Sequence, residues 1–107
     1  MTPRQGEVWW AEGRDKRRPV LVVTRDDVIG HLATIIVAPV TTTIRGIPTE
    51  IVLDERDGLR ERCVASFDNL WLLPTRSLRA RIAESGSHRG PGICRALAAL
   101  ADCRTPR

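Results

Sequence analysis

The chain has 107 residues, and its 17 basic and 13 acidic side chains give a formal net charge of +4 at pH 7. This length suits one domain with one hydrophobic core, and no apolar run approaches the roughly 20 residues that span a bilayer. We therefore expect a soluble, cytoplasmic protein with a single domain over residues 1–103 and a disordered tail over residues 104–107. The basic excess favours a polyanionic partner, and no membrane partner is expected.

The cysteines and histidines are too scattered for a metal or disulfide framework. Cys63, Cys94 and Cys103 lie far apart without a CxxC pair, which argues against disulfides. Neither His31 nor His88 lies at zinc-ligand spacing from a cysteine pair. The sequence therefore predicts no metal and no cofactor.

Short apolar segments separated by turn residues indicate a series of strands. Strands are predicted at residues 7–11, 18–24, 33–40, 48–54 and 63–69, with a possible sixth at residues 79–84. RDDVIGHL supplies turn residues after the second strand, and ERDGLRER is a predicted solvated loop with a turn at Asp57-Gly58. WLLPTRSL is expected to contain a short helical turn after Pro74.

One helix is predicted at the end of the chain. Ile93, Ala96, Leu97 and Leu100 recur at i, i+3, i+4 and i+7, which predicts an apolar helical face that packs on the sheet. Five or six short strands and this helix predict a mainly β protein, a small half-open β-barrel or a strongly curved sheet.

Three polar clusters lie at predicted strand ends, where rigid backbone makes a good platform for a site. They are Arg18 before Pro19, the threonine run that begins at Thr41, and Asp68 with its neighbours after the fifth strand. Each cluster has an ordinary structural alternative. Arg18 would then be a surface ion-pair partner, the threonines a plain loop, and Asp68 a turn-forming cap.

Taken together, the segments resemble the MazF/PemK/Kid family of toxin endoribonucleases. The resemblance runs from residue 6 to about residue 100, and its most specific part is Arg18-Pro19 before an aliphatic strand. The segments that carry it are GEVWWA, KRRPVLVVTRD, VAPVTTT with the following Gly-Ile-Pro-Thr, CVASFDN and LPTRSL.

This resemblance implies an SH3-like small β-barrel of the MazF/CcdB type that acts as a homodimer. Such proteins cleave single-stranded RNA, an mRNA or else a tRNA or rRNA, at short sequence motifs without a metal. Attack by the ribose 2′-hydroxyl leaves a 2′,3′-cyclic phosphate or a 3′-phosphate, and a 5′-hydroxyl. A cognate antitoxin with an acidic, flexible tail fills the RNA groove, and a chain of charge +4 is compatible with that.

The resemblance also implies roles for the three clusters. Arg18 and Thr41 match catalytic positions: a guanidinium suits the charge on the phosphorane, and a hydroxyl can orient a phosphate oxygen. Asp68-Asn69 matches an aspartate and amide pair that some members use at the end of the fifth strand, and Asp68, as the only carboxylate among the three clusters, is the candidate base. RNA contacts are expected from further arginines and polar side chains, namely Arg17, Arg25, Thr42, Thr43, Arg45, Ser66, Asn69, Arg79 and Arg81.

The chain departs from the family pattern at two places. The first loop is only EGRDK, shorter than in many members, which predicts a more open substrate groove. Ser66 stands where some members carry a catalytic arginine, so that role does not transfer. If Trp9 and Trp10 lie on a strand they point to opposite faces, which leaves one of them free to stack a base or to pack a dimer interface.

Two functions outside this interpretation remain open at the level of sequence. One is a CcdB-like toxin that binds a gyrase subunit through its terminal helix without catalysis. A toxin of this kind would need an exposed apolar anchor at the C-terminus, whereas this chain ends ADCRTPR. The other is a non-catalytic RNA-binding SH3-like module, which does not require Arg18, Thr41 and Asp68 to converge.

Overall fold

The computed structural model describes residues 2–13, 16–83 and 89–101. Within them, seven strands and two helices follow one another along the chain. In order they are β1 (Val8–Glu12), β2 (Arg17–Val22), α1 (Asp26–Ile29), β3 (Thr34–Thr41), β4 (Glu50–Leu53), β5 (Cys63–Ser66), β6 (Trp71–Pro74), β7 (Leu78–Ala83) and α2 (Arg89–Leu100). Single 3-10 turns lie at Glu55–Asp57, Phe67–Asn69 and Thr75–Ser77.

The strands form one antiparallel sheet that branches at β3. The order is β4-β5-β3-β2-β1-β7, with β6 paired to β3 beside this path. The start of β3 pairs with β6, from Thr34↔Pro74 to Val37↔Trp71, whereas its end pairs with β5 through Val40 and Thr41. Because twisted strands that share one branching strand cannot lie flat, the sheet curls into a barrel-like shape that does not close.

The core is divided between the two faces of the sheet. Along β2, Leu21 belongs to one apolar cluster and its neighbours Val20 and Val22 belong to the other, as the alternation of a strand requires. Ile93 of α2 completes the first cluster, and Ile29 of α1 completes the second. Full burial of each such side chain stabilises the fold by roughly 1.5 to 3 kcal/mol. Both faces of the sheet therefore contribute to the stability of the protein.

The fold class predicted from the sequence is confirmed, with a correction to the strand count. The sheet has seven strands rather than five or six, because β6 occupies Trp71–Pro74. The helical turn expected after Pro74 is present at Thr75–Ser77. A second correction is α1, which lies in a segment predicted as turn.

The apolar face of α2 is only partly buried. Ile93 and Ala96 are 1% and 0% exposed, whereas Leu97 and Leu100 are 37% and 41% exposed. The helix packs on β4 and on the turn Phe67–Asn69. The expectation that all four side chains would pack on the sheet is therefore wrong for the last turn of the helix.

Several sequence predictions concern residues outside the described ranges. The predicted tail, residues 104–107, is among them, as are residues 14–15 of the short first loop and residue 84 of the last predicted strand. Within the described residues, none of the helices is long and apolar enough to cross a membrane.

Candidate functional site

Two prolines lie where the pairing between β2 and β3 ends, next to the candidate site. The two strands pair from Val22↔Val37 to Val20↔Pro39, and no further pairs follow among the described residues. Proline has no N–H to donate to a ladder, so Pro19 and Pro39 end the pairing there. Continuing the same register by two residues puts Arg18 opposite Thr41. Both catalytic candidates therefore lie at the same end of two neighbouring strands.

Arg18 is held on the sheet but is exposed to solvent. On its other side β2 continues to pair with β1, where Arg18 is opposite Ala11. Within the described residues, no carboxylate forms an ion pair with its guanidinium, and the residue is exposed. A guanidinium that is exposed and has no ion pair among the described residues is available to bind an anion.

A cleft of about 580 Å³ opens beside these strand ends. Its apolar part includes Trp10, Pro19 and Val40 from three neighbouring strands, and its polar part includes Thr41, Thr42, Arg60 and Glu61. Cys63 and the loop from Gly58 to Glu61 form the wall opposite β2. A cleft with an apolar floor and a polar rim is typical of a ligand site.

The threonines after β3 meet at the edge of this cleft. Thr41 and Thr42 both line it, and the Thr41 hydroxyl accepts a hydrogen bond from the backbone N–H of Thr43 at 3.1 Å. That bond fixes the rotamer of Thr41 and leaves its own O–H proton free to donate. The side chain can therefore offer a hydrogen bond to an anionic oxygen.

The third candidate, Asp68, lies away from the cleft. It belongs to the turn Phe67–Asn69, and its carboxylate accepts a hydrogen bond from the Thr49 hydroxyl at 2.6 Å. Thr41 pairs with Val64, near the opposite end of β5. The structure therefore puts Arg18 and Thr41 at the same end of two neighbouring strands and does not bring Asp68 there within one chain. Of the three, Thr41 alone lines the cleft.

The residues around Asp68 form a polar cluster of their own. Ser66 is buried at 2% exposure, and its hydroxyl accepts a hydrogen bond from the Asn69 side chain at 3.2 Å. Asn69 itself is exposed. Ser66 therefore presents almost no surface of its own to an RNA strand, contrary to the RNA contact predicted for it.

The arginines predicted to contact RNA fall into two groups. Arg25, Arg79 and Arg81 are paired with Asp27 at 2.9 Å, Glu12 at 2.6 Å and Glu7 at 3.1 Å. Arg17 and Arg45 are exposed and have no ion pair within the described residues. An arginine that is paired with a carboxylate must give up that ion pair before it can bind a phosphate. Of the five arginines, Arg17 and Arg45 are therefore better placed to bind RNA.

Cys63 has the chemistry of a buried thiol rather than of a nucleophile. Burial, and then the nearby carboxylates of Asp57, Glu61 and Asp54, raise the pKa of the Cys63 thiol above its ordinary value. A thiol that stays protonated is a poor nucleophile. Among the residues that the structure describes, no group of three or more His, Cys, Asp or Glu side chains is arranged to hold a metal ion.

The wall of the cleft is fixed by a buried ion pair that the sequence did not suggest. Arg89, the first residue of α2, is 5% exposed and donates to the Asp57 carboxylate and to the Gly6 carbonyl. Asp54 and Asp57 also bond to each other's backbone in a capping box around Glu55–Asp57. Asp57 thereby fixes the loop just before Gly58, where the cleft wall begins.

Gly58→Ala should destabilise the protein by about 2 to 5 kcal/mol. Gly58 has φ +83, a left-handed conformation that costs an L residue roughly 1 to 2 kcal/mol. An added Cβ would also lie 3.2 Å from the Ala83 Cβ, a crowding that costs roughly 1 to 3 kcal/mol. The measurement is the free energy of unfolding in urea.

Gly46→Ala is the matched control for this substitution. Gly46 has φ +71, but no atom lies within 4 Å of the place that an added Cβ would take, so only the backbone cost of roughly 1 to 2 kcal/mol applies. Equal losses in the free energy of unfolding for the two variants would show that the contact with Ala83 costs no stability.

The fold and the cleft together define a class of small, basic, barrel-like proteins with an exposed arginine at a strand end. Within that class the family is shown by comparison with known proteins. The chain belongs to the PemK-like, MazF-like toxins of type II toxin-antitoxin systems, whose family model matches residues 4–100. The resemblance found in the sequence is thereby confirmed.

Relatives and solved structures agree with this assignment. The chain is 39% identical over 103 residues to a protein named probable endoribonuclease MazF5 of Mycobacterium tuberculosis, with 94% of each chain covered. The solved Mycobacterium tuberculosis toxin MazF-mt6 is similar with a TM-score of 0.80 and 36% identity, over 88% of this chain and 94% of that one. A mycobacterial endoribonuclease solved with its cognate antitoxin has a TM-score of 0.82 and 27% identity, over 97% and 99%.

Proposed function

We propose that this chain is the toxin of a toxin-antitoxin system and that it cleaves single-stranded RNA endonucleolytically, with an mRNA, tRNA or rRNA as substrate. The observation that carries the proposal is that Arg18, which has no ion pair among the described residues, lies at the same strand end as Thr41, a residue that lines the open cleft, in a member of this toxin family. The family match and the relatives named endoribonucleases favour it over a gyrase-binding toxin and over a non-catalytic RNA-binding module.

The reaction that suits this site is internal transesterification. The 2′-oxygen forms a bond to the adjacent phosphorus, the bond from phosphorus to the 5′-oxygen breaks, and the 2′-proton passes to a base while the leaving 5′-oxygen gains a proton. Negative charge grows on the phosphorane oxygens during this step. A preorganised guanidinium and a hydroxyl aimed at those oxygens lower the barrier because they interact more strongly with the transition state than with the substrate.

Arg18 and Thr41 are accordingly the proposed catalytic residues, and Asp68 is the proposed base. Within one chain, Asp68 and Thr41 lie near opposite ends of β5. A base role for Asp68 therefore requires that a second copy of the chain bring its carboxylate to the cleft, which fits the expected homodimer. The contacts to the RNA backbone are proposed for Arg17, Arg45, Thr42, Thr43 and Asn69. Arg25, Arg79 and Arg81 would join them only after leaving their carboxylate partners.

The proposed partners follow from charge and from the relatives. A net charge of +4 and an exposed Arg18 suit both RNA and an acidic antitoxin segment, so the two would compete for the same surface. A solved relative is described as an endoribonuclease in complex with its cognate antitoxin. We place the action of the toxin in the cytoplasm, where its RNA substrates are.

The test is cleavage of a long single-stranded RNA by the purified protein, with and without EDTA. Cut sites are mapped at nucleotide resolution, and a fully double-stranded RNA of the same sequence is the control. We expect cuts at a short recurrent motif in the single strand, undiminished by EDTA. An intact single-stranded RNA across many sequences would refute the nuclease activity, and activity lost in EDTA would refute its independence of a metal.

A further inference from the structure

Trp10 is an exposed aromatic side chain that the proposed reaction leaves without a role. It lies on β1 directly opposite Pro19 of β2, is 38% exposed, and lines the same cleft as Thr41. Its neighbour Trp9 is different: it is 5% exposed, and its ring N–H donates to the Glu7 carboxylate at 3.0 Å. The core therefore uses one indole of the pair, and the other faces the cleft.

The position of Trp10 relative to the candidate catalytic residues is fixed by the sheet. Neighbouring strands are about 4.8 Å apart, so the Trp10 backbone is one strand from Pro19, which follows Arg18, and about two strands, roughly 10 Å, from the end of β3. This separation matches the reach from a phosphate to its own base or to the next one. An indole at that distance can hold a base while the Thr41 hydroxyl holds the phosphate.

The chemistry of the cleft gives a bound nucleotide one orientation. Trp10, Pro19 and Val40 offer apolar surface at one side, and the hydroxyls of Thr41 and Thr42 lie at the rim. Arg60 and Glu61 also line the cleft, and their opposite charges offset one another. A phosphate is therefore best placed at the hydroxyls of Thr41 and Thr42, and the flat, uncharged base is left to the apolar surface.

We propose that Trp10 stacks an unpaired base of the RNA within one nucleotide of the scissile phosphate, and so positions the strand for cleavage. This inference rests on the proposed function. Unstacked bases of single-stranded RNA are commonly held on aromatic side chains, and such stacking tolerates any base because each has a π-face. The cleft volume of about 580 Å³ lies within the range of roughly 300 to 1,000 Å³ that is typical of small-ligand pockets.

The experiment is a double-mutant cycle that combines a substitution in the protein with the removal of one base from the RNA. Oligoribonucleotides with one mapped cut site are made with a single abasic ribose at each position from three before to three after the cut. The kcat/KM and the Kd of each oligonucleotide are measured with the wild type, Trp10→Ala and Trp10→Phe. Val52→Ala is the control, because Val52 is a 46% exposed strand side chain that does not line this cleft.

With the intact substrate, Trp10→Ala should lower kcat/KM by about 5- to 150-fold, the usual effect of losing one base stack. Trp10→Phe should retain most of the activity, and Val52→Ala all of it. One abasic position next to the cut should cost the wild type a similar factor and cost Trp10→Ala nothing more. That loss of additivity at one position is the supporting result, since damage to the fold alone would leave the effects additive.

Additive effects at every position would overturn the proposal. If the chain binds RNA but cleaves none, the proposed function fails, while a cycle in Kd, with the abasic ribose moved along the bound oligonucleotide, still decides whether Trp10 stacks a base. If the chain does not bind RNA at all, both proposals fail.

Discussion

Arg18→Ala should leave the protein folded and reduce RNA cleavage by about 100- to 1,000-fold, which is the usual cost of removing one preorganised transition-state donor. Arg18 is exposed and has no ion pair within the described residues, so its loss removes no ion pair from that part of the chain. Substitutions of that kind usually change stability by less than about 0.5 kcal/mol. The measurements are single-turnover cleavage of a mapped oligonucleotide and urea unfolding.

Arg76→Ala is the matched control, because it removes the same charge from an exposed arginine without an ion pair in the described chain. Arg76 lies in the turn Thr75–Ser77, next to the start of β3 rather than to its end at Thr41. Its loss should leave cleavage unchanged. Thr41→Ala should reduce cleavage less than Arg18→Ala, because a neutral hydrogen bond is weaker than a charge-assisted one. A folded Arg18→Ala protein with wild-type activity would refute the assignment.

The strand pattern could be predicted from the sequence wherever alternation was long enough to be read. β3 and the strand that carries Arg18 were predicted because their aliphatic runs leave no other interpretation. β6 was missed because it spans only Trp71–Pro74 and is defined by its pairing with residues far earlier in the chain. The exposure of Leu97 and Leu100 was missed because periodicity shows which residues share a helical face, not how far a partner covers it.

The site was predictable only in part, for a similar reason. The sequence singled out Arg18 and Thr41 as strand-end residues, and the register of two neighbouring strands then put them at one end of the sheet. The buried Arg89 looked like an ordinary basic residue before a helix, because its partner Asp57 lies in a loop predicted to be solvated. Pairs so distant in sequence follow from the packing of the whole chain. No local sequence pattern predicts such pairs.

Replacing the ribose on the 5′ side of the scissile phosphate by 2′-deoxyribose should abolish cleavage at that bond. The described side chains of the cleft offer no evident nucleophile: the raised pKa keeps the Cys63 thiol protonated, and the Thr41 hydroxyl is placed to donate a hydrogen bond, with no general base bonded to it among the described residues. The attacking group is then the 2′-hydroxyl of the RNA itself. Products from the unmodified strand should carry a 2′,3′-cyclic phosphate or a 3′-phosphate and a free 5′-hydroxyl.

The deoxy-substituted RNA should still bind with nearly unchanged Kd, because phosphate contacts supply most of the affinity for a nucleic acid and the substitution keeps every phosphate. An oligonucleotide with its single 2′-deoxyribose three positions away is the control and should be cut at the normal rate. Unchanged binding together with lost cleavage would show that the missing 2′-hydroxyl acts in the chemical step. Undiminished cleavage at the substituted bond, or 5′-phosphate ends that disappear with EDTA, would instead demonstrate that a metal-activated water attacks the phosphate.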